Sequence, residues 1–145
     1  MARFNASALI AIFFFAFFAL AAPIVEPRQI GNLTCNVARL RIVGALAATN
    51  NDVSKISTAD ATASDAVTTA KSGLSSAGAG IKTIAGAILT GQKAPAAARD
   101  QVEKGLTDAQ TALQSIDGTD PAVTTALGNM AKAIKAGQDV VANCK

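Results

Sequence analysis

From about position 37 to the C-terminus, apolar side chains recur at alternating intervals of four and three residues. Nowhere do they alternate one by one over the length of a strand. One row is Val102, Leu106, Ala109, Leu113 and Ile116. A second is Val123, Leu127, Met130, Ile134, Gly137, Val141 and Cys144. A third is Ile42, Leu46, Thr49, Val53 and Ile56, with Val37 and Leu40 leading into it. This spacing puts each row on one face of a helix, as the buried stripe of an amphipathic element. Alanine supplies 25 of the residues from Gln29 onward, which favours helix further. Breaks fall at Gly91-Gln92-Lys93-Ala94-Pro95 and at Asp117-Gly118-Thr119-Asp120-Pro121, where Asp120 reads as a helix cap followed by proline at the first helical position. Softer breaks lie at 57–64 and at Gly78-Ala79-Gly80. The pattern predicts helices over 32–57, 61–90, 95–117 and 120–143, the second kinked or split near Gly78–Gly80. At 1.5 Å per residue, the first, third and fourth are roughly 34–39 Å long and can lie side by side.

The N-terminal segment has a different composition. All six Phe residues lie between Phe4 and Phe18; no aromatic residue follows, and there is no His anywhere. Arg3 precedes an unbroken apolar run from Ala8 to Leu20, and Ala19-Leu20-Ala21 offers the small-x-small pattern of a signal-peptidase site. Thirteen apolar residues fall short of the ~20 that span a bilayer. Residues 1–21 therefore read as a cleaved secretory signal peptide, not a transmembrane anchor. Residues 22–31 read either as a flexible arm or as a short propeptide cut after Pro27-Arg28. Residues 32–145 form the helical domain, and the expected location is extracellular or in a cell wall.

An even count of two cysteines in a secreted chain predicts a Cys35–Cys144 disulfide. It would close a loop of roughly 110 residues, for which loop entropy gives about 4–5 kcal/mol. Cys35 opens the first helix and Cys144 closes the last. In an up-and-down bundle these share a pole only when the number of spanning helices is even. The expected fold is thus all-α, an antiparallel four-helix bundle. Five spanning helices, with 61–76 and 81–90 separate, would be the outcome if the two cysteines lay apart. With Ala, Val, Ile and Leu doing nearly all the packing, the core is thin and the disulfide offsets that weakness.

Chemistry-bearing groups are sparse. Without His, and with both Cys paired, no nucleophile has an activating base. Asp100 and Glu103 are explained by the positive end of their helix, and Asp117 and Asp120 by the turn and cap. A glycosidase would also lack its aromatic platform. No catalytic residue, metal site or cofactor is therefore expected. Eleven basic and nine acidic residues after Gln29 are too balanced and too scattered for a nucleic-acid surface. Asn32-Leu33-Thr34 is an N-glycosylation sequon. Gly44, Gly105, Gly128 and Gly137 interrupt helices at inward or flanking positions. They either allow close helix approach or leave room for an apolar guest.

Several stretches resemble small secreted proteins of mushroom-forming fungi: Leu33-Thr34-Cys35-Asn36-Val37-Ala38-Arg39-Leu40, Gly80-Ile81-Lys82-Thr83-Ile84-Ala85, Arg99-Asp100-Gln101-Val102, and Gly137-Gln138-Asp139-Val140-Val141-Ala142-Asn143-Cys144. The size and the helices rich in Ala, Thr, Ser and Asp are also similar to hydrophobic surface-binding proteins and cell-wall mannoproteins of other fungi. That resemblance implies a secreted helical module that binds apolar surfaces or lipids. The chain differs from them in its cysteine pair and its aromatic-free helices, and no site residue is carried over. The expectation is a non-catalytic surface or interaction protein, associated with a cell wall, an apolar surface or a lipid. The alternative is a carrier of a fatty acid or similar molecule, lined by Leu46, Val53, Ile84, Ile88, Leu106, Leu113, Leu127, Met130 and Ile134.

Overall fold

A computed structural model describes residues 32–117 and 120–144, and within them every regular element is a helix. The expected signal peptide and the cut after Arg28 lie outside the described residues. Four helices follow in order: α1 Leu33–Val53, α2 Ala61–Leu89, α3 Ala96–Gln114 and α4 Pro121–Asn143. None is long and apolar enough to cross a membrane.

Side chains begin three of the four helices. Asn32 accepts from the Cys35 amide at 3.2 Å, Asp60 from Ala63 at 3.0 Å, and Asp120 from Ala122 at 2.8 Å ahead of Pro121. Helix α3 starts after Pro95 without a side-chain cap. Its first turn holds no acidic residue, so Asp100 and Glu103 sit beyond the helix start that was expected to explain them. The end of α2 is set by Gly91, whose φ of 73° only glycine adopts cheaply. There the Gly91 amide donates to Ile88 and the Gln92 amide to Ala87, which satisfies the last carbonyls.

The helices run up and down, and they pack as two broad pairs, α1 with α4 and α2 with α3. Contacts between α1 and α2, and between α3 and α4, are much sparser; the diagonal helices do not meet. In the first pair Cys35 faces Cys144, Ile42 Cδ1 would meet a Cβ on Gly137 at 3.6 Å, and Asn129 donates to Asp52 at 2.8 Å. The disulfide joins residues 109 apart in sequence, with Cα atoms 5.1 Å apart. Asn32 Nδ2 adds a bond to the Asn143 carbonyl at 2.8 Å. The even-helix topology drawn from the cysteines therefore holds, and the five-helix arrangement does not occur.

Helix α2 is unbroken through Gly78 and Gly80. Gly73 and Gly80 serve packing, whereas a Cβ on Gly78 would meet nothing within 4 Å. A Cβ on Gly73 would lie 2.6 Å from the Gly105 carbonyl oxygen, and one on Gly80 would lie 2.7 Å from that of Ala98. Among the glycines expected to interrupt helices, only Gly105 is tightly packed. Gly44 and Gly128 face open space.

The α1 stripe Ile42, Leu46, Thr49, Val53 and Ile56 is buried as read, and only its lead-in and the α4 stripe are out of phase. The α3 row is as read, with Val102, Leu106, Ala109 and Leu113 buried. On α1 the buried line continues through Ala38 and Cys35, whereas Leu40 is 73% exposed and Val37 half-buried. On α4 the buried residues are Val123, Ala126, Met130, Ala133 and Ala136, while Leu127, Ile134 and Gly137 are half-buried and Val141 is exposed. Met130 and the small Ala126 and Ala133 are completely buried, and Leu127 and Ile134 stand at the edge of that face.

Candidate functional site at the disulfide pole

The fold gives the bundle two unlike poles. One holds the α1–α2 and α3–α4 loops; the other holds the disulfide and the α2–α3 turn. Near the loops the core is closed: Val53 and Leu113 are fully buried, and Ile56, Val67 and Val123 nearly so. Toward the disulfide it thins. No residue of α2 beyond Gly80 is buried: Ile81, Ile84 and Ile88 are half-buried, and Leu89 is 88% exposed.

The large exposed aliphatic residues are Leu33, Leu40 and Val43 on α1, Leu89 on α2 and Val141 on α4. By topology Leu33, Leu40, Leu89 and Val141 lie in the disulfide half, and Val43 lies at the middle of α1. Leu33, Val37, Leu40, Gly44 and Ala47 are spaced by four and three, so α1 carries a second apolar row about opposite its buried one. This row was missed because it was merged with the inner one. The available signal was that α1 has apolar residues on all sides and only two basic ones, Arg39 and Arg41, in its first half.

The residues expected to line an apolar interior do not gather at one place. Val53, Leu113 and Met130 are completely buried, and Leu46 and Leu106 nearly so. Leu127, Ile134 and Ile84 pack half-buried against that core, and Ile88 lies farther out. They form successive layers from the loop pole to the disulfide pole.

Charge is also divided. The basic residues look scattered along the chain, but antiparallel folding collects them. Arg39, Arg41, Lys82, Lys93, Arg99, Lys104 and Lys135 fall in the disulfide half, against Asp100, Glu103 and Asp139. The loop half holds Asp52, Asp60, Asp65, Asp108, Asp117 and Asp120, against Lys55, Lys71 and Lys132.

Polar contacts near the loops are structural. Asp120 caps α4 with one oxygen, and its other oxygen accepts from the Ser57 amide at 3.1 Å, which ties the two inter-pair loops. Asp52, buried between α1 and α4, accepts from Lys55 at 3.0 Å and from Asn129 at 2.8 Å. The Lys55 bond, then the Asn129 bond, hold its carboxyl below the ordinary range against the opposing effect of burial. An open polar groove runs along the outer α2–α3 seam, between Thr62, Asp65 and Thr69 on one side and Lys104, Asp108 and Thr111 on the other. Lys104 and Asp108 pair at 2.6 Å there. Among the described residues no three His, Cys, Asp or Glu gather as metal ligands would.

Asn32, the sequon asparagine, is exposed and serves as the α1 cap. Its amide nitrogen carries two hydrogens, so the bond to Asn143 leaves one position for a glycan. Comparison of the chain with protein families, with curated proteins and with solved structures finds no match.

Proposed function

We propose that this is a secreted, non-catalytic surface protein that holds to apolar surfaces through the disulfide half of its bundle. The observation that carries the reading is the segregation of exposed Leu33, Leu40, Leu89 and Val141 to that half, with Val43 extending the patch along α1. The signal-like N-terminus and the cysteine pair support an extracellular setting. The resemblance to fungal secreted modules, including those of cell walls, supports the same role. Exposed aliphatic residues gathered on one part of a small protein mark a contact surface more often than scattered ones do.

Depletion from solution by hydrophobic beads tests the reading. The native protein is depleted far more than a charge-matched helical control. A variant with Leu33→Ser, Leu40→Ser and Val43→Ser keeps its thermal midpoint, because these side chains leave the core intact. It binds at least about tenfold more weakly, given ~1.5–3 kcal/mol for full burial of each side chain. Equal depletion of native protein and variant removes the assignment.

A second reading, a carrier of a fatty acid, draws on half-buried Ile81, Ile84 and Ile88, where the core thins. Mass spectrometry of lipids that co-purify with the native secreted protein tests it. A lipid-free protein that also takes up no fluorescent fatty acid leaves only the surface reading.

A further inference from the structure

We infer that the apolar partner is an anionic lipid surface, met with the disulfide pole foremost and the loop pole turned away. This rests on the apolar-surface reading and adds to it the chemistry of the partner and the orientation. Two independent distributions coincide. The aliphatic residues that leave the core do so toward the disulfide pole, and seven of the ten basic side chains in the described residues lie in the same half.

The basic residues sit beside the aliphatic ones along the chain. Arg41 follows Leu40, Lys82 follows Ile81, Lys135 follows Ile134, and Lys93 lies on the turn after Leu89. Arg41, Lys82, Lys93, Arg99 and Lys135 are all exposed. Long Lys and Arg stems can lie along apolar surface while their charges reach outward. Around a pole that enters the apolar layer, they form a collar at headgroup level. The acidic residues of the loop half are then repelled from the same surface, so attraction and repulsion act together to set orientation.

A protein partner fits less well. Among the described residues the pole has no aromatic side chain to fill a partner's pocket, and its aliphatic residues are spread over three helices. A fluid lipid layer needs no matched shape.

Vesicle partitioning of the native secreted protein tests the inference, with phosphatidylcholine vesicles compared with phosphatidylcholine–phosphatidylglycerol vesicles. Anionic vesicles bind the protein more strongly, and the difference shrinks as salt rises from about 0.05 to 0.5 M. The double variant Arg41→Gln, Lys82→Gln weakens anionic binding by about 25-fold, or about fivefold for each charge. The control Lys55→Gln, Lys71→Gln removes the same charge from the loop half and changes binding less than about twofold. All four positions are exposed, and thermal midpoints verify that both variants fold. Equal binding to the two vesicle types, or equal loss in the two doubles, overturns the lipid inference. If beads still deplete the protein in that case, the apolar-surface reading stands. If neither beads nor vesicles bind, both fall.

Discussion

At Gly73 and Gly105 two helix backbones come so close that neither has room for one more carbon. A Cβ on Gly105 would lie 2.5 Å from the Gly73 carbonyl oxygen and 2.7 Å from the Ala77 amide nitrogen. Both neighbours are backbone, so relief requires moving a helix. Gly105→Ala therefore costs about 1–3 kcal/mol or more, read as a lower urea midpoint. Gly44→Ala has the opposite sign. Nothing lies within 4 Å of its Cβ, and alanine in an exposed helix is favoured by about 0.5–1 kcal/mol. Asp52 gives a prediction in pH. Its bonds from Lys55 and Asn129 lower its folded pKa, so the fold favours the ionised form. That contribution is fully present above the unfolded value of about 3.9 and is lost as pH falls through the folded value below it. Urea midpoints measured from pH 6 to 2 should fall less steeply in Asp52→Asn than in the native protein. Parallel curves would show that Asp52 contributes none of the acid sensitivity.

At the scale of the helix, the first element has two masters. Its inner row, from Cys35 through Ile42 to Val53, packs on the bundle, while its outer row, from Leu33 through Leu40 to Ala47, meets solvent. Spacing alone could not separate them, since each obeys the same four-and-three rule, and Val37 and Leu40 were read into the wrong row. The phase of α4 was unreadable for a related reason: Leu127 and Ile134 outrank Ala126 and Ala133 in hydrophobicity, yet they stand half-buried at the edge of the face that Ala126, Met130 and Ala133 bury. Boundaries were legible because they rest on local chemistry. Asp60, Asp120-Pro121 and the Gly91 turn act within their own few residues. Asn32 shows that a cap can act across elements as well. It holds the start of α1 and bonds to the end of α4, so Asn32→Ala should lower stability by about 1–2 kcal/mol, more than a cap with no second partner. A thermal melt against Asp60→Ala, whose hydrogen bond to the Ala63 amide stays within its own helix, makes the comparison.

The whole molecule is two helix pairs joined asymmetrically. Both loops that pass between pairs lie at one pole, where the Ser57–Asp120 hydrogen bond ties them. At the other pole the disulfide closes α1 on α4, and the turn at Gly91 closes α2 on α3; each of these links stays within a pair. The charge polarity of the molecule was hidden in the sequence because it arises only when antiparallel helices bring distant halves together. Covalent connection between the two pairs and core density thus decline in the same direction, toward the disulfide pole. Local opening should be cheapest where few apolar contacts must be broken. Amides of α2 after Gly80 should exchange with solvent well before those of Ala66 to Ala77, although both segments belong to one continuous helix. Reduction of Cys35–Cys144 should extend the early-exchanging region to the start of α1 and the end of α4, and should lower the thermal midpoint by more than about 10 °C if most of the loop-closure term is realised. The Ser57–Asp120 pole should keep its protection until the whole bundle unfolds. Uniform exchange along α2 would mean that the two pairs open only together, and that the thinning core at the disulfide pole has no separate mobility.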